Sequence, residues 1–222
     1  MADKGVFVTT FGLCLALLGP AVLAFFGEKV FAAPQNLGAA LLGELALVLL
    51  CASVLVIVVR WEHQPLSSIG ILPLRWQSLA WGAALAAFII WVYAPLLARA
   101  MAFAHLPWFT EGLAKLAVFP VWFLVLAVVI GGTAEELLYR GYAVERLATV
   151  TGSYWVGGLL SVLAFGLAHV PMWGWSAALT MVVSGLIVTA FYVWRQDLLA
   201  NIIAHVTADF VGIVLPLICA KE

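Results

Sequence analysis

Apolar residues fill this chain in long runs separated by short polar breaks, and the run lengths predict helices that cross a bilayer. A hydrocarbon core takes about 20 residues of helix, and runs of that order cover residues 5–26, 37–60, 77–100, 117–140, 153–169, 175–194 and 198–219. The expected fold is all-α, a polytopic transmembrane bundle of about seven (seven to eight) helices. The breaks "GEKVFAAPQN", "EHQPLSSIGILPLRW", "HLPWFTEG" and "HVPMWGW" hold the Pro and Gly that punctuate helices. Trp61, Trp76, Trp108, Trp173 and Trp175 fall at these breaks, where indole rings favour the membrane interface. The mixed stretch "YAVERLATVTG" predicts a short segment along the membrane surface before the fifth helix. No repeat or linker divides the chain, so residues 1–222 read as one integral membrane domain.

Composition agrees with the pattern. Hydrophobic residues make up 66% of the 222 and charged residues 9%, where a soluble domain carries about a quarter charged. The net charge of −1 and the lack of a basic stripe exclude nucleic acid as a partner. Cys14, Cys51 and Cys219 sit singly in apolar runs, without disulfide or metal-site spacing. The first apolar run is long and lacks a small-residue cleavage site, so it is expected to be kept as a span. With the N-terminus inside, Lys4, Arg60, Arg75, Arg140, Arg146 and Arg195 would face the cytoplasm and Lys29, Arg99, Lys115 and Lys221 the other side, a bias too small to set orientation.

Charges at membrane depth cost from a few kcal/mol upward, so each one inside a run is a candidate for function. They are Glu44, Glu135, Glu136, Arg140, His169, His205 and Asp209, six of the seven after residue 130. Thr133 and Glu136 match a capping box, and Glu136 and Arg140 stand at ion-pair spacing, which by itself describes a helix start. The apolar run 121–130 is too short to span unless the helix continues through "GGTAEELLYR". In that case Glu135 lies roughly 20 Å from Val121, where a cap has no place. Gly131 and Gly132 would admit a close helix neighbour.

Adjacent carboxylates point about 100° apart on a helix. Glu136 shares a face with Arg140 and stays ionised, whereas Glu135 shares one with Tyr139 and is the better general base. His169 beside Pro171 reads first as an interface residue. Asn201, His205 and Asp209 at i, i+4 and i+8 line one face of an apolar helix, either gluing helices together or orienting an imidazole for proton transfer or metal binding. Glu44 reads as structural, with a place on a substrate path as the alternative.

"EELLYRGY", "FGLAH" and "HVTAD" resemble, in order and spacing, the E-E-x-x-x-R, F-x-x-x-H and H-x-x-x-N/D motifs of the CPBP family of CAAX proteases and bacteriocin-processing peptidases. The resemblance covers roughly 117–219, which it implies is the catalytic core. It implies a glutamate-dependent intramembrane endopeptidase, cutting near the C-terminus or anchor of a membrane-anchored peptide or protein. Glu135 would activate water, Glu136 and Arg140 would complete the first motif, and His169, His205 and Asp209 would join them as catalytic residues. Phe165, Tyr139 and Asn201 are expected to contact substrate. The family is often called a metalloprotease group, so a divalent metal such as zinc stays open, with His169, His205 and Glu135 as its ligands. Asp209 stands where the family frequently has Asn. The absence of a soluble extension makes the chain look bacterial, in the inner membrane, acting on a transmembrane or lipid-anchored tail and not a prenylated one. Two other readings use the same charges: a proton-coupled transporter, and a non-catalytic scaffold of the bacteriocin-immunity type.

Overall fold

The computed structural model describes residues 2–30, 36–107 and 109–219, and among them every regular element is a helix. Trp108, Lys221, residues 31–35 of the first break and the side chains of Lys4 and Lys29 lie outside the described residues. Helix α1 is Ala2–Val30, α2 Leu37–Trp61, α3 Trp76–Phe103, α4 the short Thr110–Leu116 and α5 Val121–Thr151. A single helical stretch, Tyr154–Arg195, follows, and then α8, Leu198–Cys219. Side chains cap three starts: Asn36 accepts from Ala39 N, Ser153 from Val156 N and Asp197 from Ala200 N. Each satisfies one of the amides that a helix start leaves open.

The stretch Tyr154–Arg195 is two rods. Gly174 has φ 78° and ψ 173°, a conformation open to glycine and closed to most side chains. The chain doubles back there. Gly158 packs against Thr189, Gly185 against Val162 and Phe165, and Gly166 against Val182, the pairing of an antiparallel hairpin. We number its arms α6 (154–173) and α7 (175–195). Six stretches are long and apolar enough to cross a membrane, and with the hairpin they make the seven rods that the hydrophobic pattern predicts. Pro171 and His169 lie inside α6, which outlasts the apolar run 153–169, and the break falls at Gly174, late in "HVPMWGW". Trp175 is exposed as expected of an interface residue, whereas Trp173 meets Phe109 edge-on at 5.8 Å and covers Gly112 of α4.

The largest departure from the sequence pattern is in α5. "YAVERLATVTG" is no surface segment: its helical residues belong to α5, which ends at Thr151 before Gly152 at φ 72°. Its polarity is spent inside the protein. Arg146 NH2 pairs with Glu62 Oε2 at 2.7 Å, Tyr142 OH donates to Glu62 Oε1 at 2.8 Å, and Tyr192 OH donates to Glu145 Oε1 at 2.9 Å. Tyr142, Ala143, Val144 and Ala148 are buried between these groups.

Within α5, residues Glu136–Val144 wind as a π-helix. Such turns are rare and gather at functional sites, because the wider winding re-aims side chains and frees carbonyls. The Tyr139 carbonyl is reached from outside the helix, by Ser161 Oγ of α6 at 2.6 Å. Close helix approach comes from glycine. A Cβ on Gly82 of α3 would stand 2.8 Å from the Ala200 carbonyl of α8, and one on Gly132 of α5 would stand 3.0 Å from Val206. Gly131 has nothing nearby, so only Gly132 serves as the contact that the pair predicts.

Long apolar side chains face outward as well as inward, and several polar groups are buried. Leu159, Leu163 and Leu167 stack along one exposed face of α6, a face suited to lipid, while Glu136, Arg140, Asn201 and Thr189 are buried. Lipid is as apolar as leucine, so close packing and hydrogen bonds hold such helices together.

Candidate active site

The candidate site lies where α5, α6 and α8 meet, with α7 behind it. Glu136 is fully buried and its carboxylate is completely used. Oε1 accepts from Arg140 NH1 at 3.0 Å and faces His205 Nδ1 at 2.7 Å, and Oε2 accepts from Asn201 Nδ2 at 3.1 Å. Burying an ion pair is favourable only when its remaining hydrogen-bonding capacity is met. The Arg140 guanidinium meets that condition through Nε to Thr189 Oγ1 at 3.3 Å, and it lies over the Phe165 ring at 4.4 Å. Gly185 leaves room for it, since a Cβ there would come 3.3 Å from Arg140 NH2. Asn201 Nδ2 also donates to the Val188 carbonyl at 3.0 Å, tying α8 to α7.

Glu135, one residue earlier, points elsewhere and keeps about a quarter of its side chain exposed. Its two oxygens face two imidazoles: His169 Nε2 stands 3.6 Å from Oε1, and His205 Nε2 stands 3.6 Å from Oε2. Both distances exceed a hydrogen bond, which leaves the three groups adjacent without locking them together. The far nitrogens fix the rings. His169 Nδ1 is 2.7 Å from the Phe165 carbonyl, which can only accept, so Nδ1 carries the hydrogen and Nε2 presents a lone pair in the neutral ring. His205 Nδ1 faces Glu136, and its Nε2 also faces Asp209 Oδ2 at 3.4 Å. Acceptors on both sides of the ring favour hydrogen on both nitrogens.

The sequence-derived residues therefore divide into two layers. Glu135, His169, His205 and Asp209 form the partly exposed layer, with side chains 24, 14, 15 and 36% accessible. Glu136, Arg140 and Asn201 form the buried layer beneath. Phe165, Tyr139 and Asn201, expected from sequence to touch substrate, are 4, 1 and 0% exposed, and burial at that level puts them under the site. The Phe165 ring is wedged between Arg140 and the His169 ring, whose centroid is 4.4 Å away, with Tyr139 edge-on at 5.3 Å.

Thr189, Gly185 and Ser161 support this cluster, and a single sequence offers nothing to distinguish them from ordinary small helix-contact residues. Glu44 of α2 is closer to the site than its structural reading implies. It lies within electrostatic reach of Glu135, and its Oε2 is buried without a hydrogen-bond partner.

Each imidazole has its Nδ1 engaged, His205 by Glu136 and His169 by a backbone carbonyl, which leaves Nε2 as the nitrogen that a ligand could meet. Among the described residues no three His, Cys, Asp or Glu side chains are arranged to hold an ion, and His169, His205 and Glu135 do not form that arrangement.

Comparison with known proteins adds one relation. Residues 117–211 match a family model described as type II CAAX prenyl endopeptidase Rce1-like. The match runs from just before α5 to within α8 and takes in every residue of both layers. The curated proteins and the solved structures give no match.

Proposed function

We propose, from the match of residues 117–211 to the Rce1-like family model, that the chain is a CAAX-type membrane protease, a glutamate-dependent intramembrane peptidase with Glu135 as its base. It is a multi-pass membrane protein, and the proposed substrate is a membrane-anchored peptide or protein cut near its anchor or C-terminus. Residues 117–219 are the proposed catalytic core. One observation carries the reading: a partly exposed carboxylate has an imidazole Nε2 at each of its two oxygens, 3.6 Å away on both sides.

Peptide hydrolysis needs a base for water, a donor for the developing oxyanion and a proton for the leaving amine. Glu135 and the His169 lone pair are two acceptors side by side, so a water held against them turns its hydrogens inward and its own lone pair toward the substrate. Glu135 takes one proton as the water oxygen bonds to the carbonyl carbon. The His205 Nε2 hydrogen faces the same space and donates to the oxyanion. Glu135 then passes its proton to the amide nitrogen as the C–N bond breaks, and the site returns to its starting state.

The buried layer positions these groups. Glu136 and Asp209 fix the His205 ring from opposite edges, and the Phe165 carbonyl fixes His169. Phe165, Tyr139 and Asn201 are proposed as supports, in keeping with their burial.

The reading is tested by reconstituting purified protein in liposomes with a membrane-anchored peptide and following the peptide by mass spectrometry alongside solute flux. The expected result is discrete cleavage products with no flux. Flux without cleavage would assign the buried charges to transport, and neither would assign them to a scaffold.

A further inference from the structure

A polar cavity lies at the N-terminal end of α8, where the chain entering α3 meets the end of α7. It measures about 190 Å³ and is lined by Leu72, Pro73, Arg75, Gln77, Ser78, Arg195 and Asp197. At about 30 Å³ per water, it holds roughly six waters, or one tetrahedral oxyanion with its first hydration.

Its charge is unbalanced. Asp197 supplies the acidic side chain of the lining, and both of its oxygens are in use: Oδ2 accepts from Ser78 Oγ at 2.6 Å and Oδ1 from Ala200 N at 3.2 Å. Two guanidiniums stand against it. Among the described residues neither Arg75 nor Arg195 pairs with a carboxylate, and Arg195 Nε is buried without a hydrogen-bond partner. A buried guanidinium nitrogen left without an acceptor costs about 1–3 kcal/mol or more, a cost that an anion accepting from it would offset. Helix α3 opens on this cavity at Arg75 with no side-chain cap, which adds the positive end of a 13-residue helix segment.

The surroundings name the source of the anion. The Arg195 guanidinium is held over Trp81 at 5.0 Å and Trp194 at 5.2 Å. Trp76, Trp194, Leu74 and Leu79 are strongly exposed beside it. Indoles with exposed apolar neighbours at a helix end mark the headgroup level of a bilayer, and basic pockets between helices at that level suit lipid phosphates. The cavity is too small for a whole lipid, so acyl chains would run outside it along the exposed Trp and Leu side chains.

We propose that Arg75, Arg195 and the start of α3 bind the phosphate of an anionic phospholipid headgroup. This site is separate from the peptidase reading and does not depend on it. Asp197, which closes the cavity, also caps α8, so the bound phosphate stabilises the start of the helix that carries Asn201 and His205.

The test is thermal unfolding of the detergent-solubilised full chain, with short-chain phosphatidylglycerol, short-chain phosphatidylcholine or inorganic phosphate added in turn. Phosphatidylglycerol at a hundredfold excess over its Kd is expected to raise Tm by about 5 °C or more, and phosphatidylcholine is expected to do little. Inorganic phosphate matching the full shift would keep the phosphate site and make the free ion its occupant. Arg75 is exposed, so Arg75→Gln should fold normally and lose most of the shift; Arg60→Gln, another exposed arginine outside the cavity, should retain it. An equal response from Arg75→Gln and the unaltered chain, or no response to either phosphate source, would overturn the proposal.

Discussion

His205 Nδ1 lies 2.7 Å from Glu136 Oε1, and the same oxygen accepts from Arg140 NH1 at 3.0 Å. A single buried carboxylate thus neutralises a guanidinium on its own helix and aims an imidazole on another. The second carboxylate of the pair is left partly exposed between two imidazoles. This division of labour makes the Glu135 and Glu136 variants behave differently.

Glu136→Leu strands the Arg140 guanidinium in the interior, a loss of about 3–5 kcal/mol for a broken buried pair. A large fall in Tm is expected. Glu136→Leu combined with Arg140→Met should recover much of that stability, because an apolar pair of similar volume often replaces a buried ion pair at little cost. The double variant should still be inactive, since His205 has lost its anchor. Thermal melts of the three proteins check this, and a double variant no more stable than Glu136→Leu would contradict it.

Asp209 faces His205 Nε2 as an acceptor, a task that an amide oxygen can also perform. Asp209→Asn should keep activity within about tenfold, and Asp209→Leu should lose about 10²-fold or more, on the scale of a lost proton-transfer aid. Equal losses in the two variants, measured as kcat on one peptide, would show that the negative charge itself is required.

Gly82 faces the Ala200 carbonyl so closely that a methyl group cannot enter without moving backbone. Gly82→Ala should push α3 from α8 and lower stability by about 1–3 kcal/mol, the usual cost of overpacking. Gly131→Ala, with open space around it, should be silent or slightly stabilising in the same melting assay.

Glu44 offers a buried, unpartnered oxygen to a site that already holds Glu135. Removing it relieves about 1–3 kcal/mol of unmet desolvation. Glu44→Leu is expected to raise Tm by a few degrees, at about 2–4 °C per kcal/mol for a chain of this length. A fall in Tm would show that Glu44 has a stabilising partner.

The spans were legible because lipid demands long apolar runs, and the hairpin because "HVPMWGW" holds a glycine that can take the φ of Gly174. The polar end of α5 was not. Glu145, Arg146 and Tyr142 look like interfacial residues until their partners Glu62, Tyr154 and Tyr192 are known, and those partners come from other parts of the chain. The same limit applies around the site. Its ionisable members stand out in an apolar chain, and the i, i+4, i+8 spacing of Asn201, His205 and Asp209 gives them a common face. The π winding that begins at Glu136 has no such signature. Neither has the burial of Phe165, Tyr139 and Asn201, which follows from packing against α6 and α7. Glu44 lies 91 residues from Glu135 in sequence, and periodicity carries no information over that distance.

The central claim is that Glu135 is the base, and kcat for cleavage of a membrane-anchored peptide in liposomes by Glu135→Gln tests it most directly. The substitution keeps the size of the side chain and removes its ability to take a proton. The account predicts a protein that inserts and melts like the unaltered chain and turns over at least about 10³-fold more slowly. Turnover within a few-fold of the unaltered chain would contradict it.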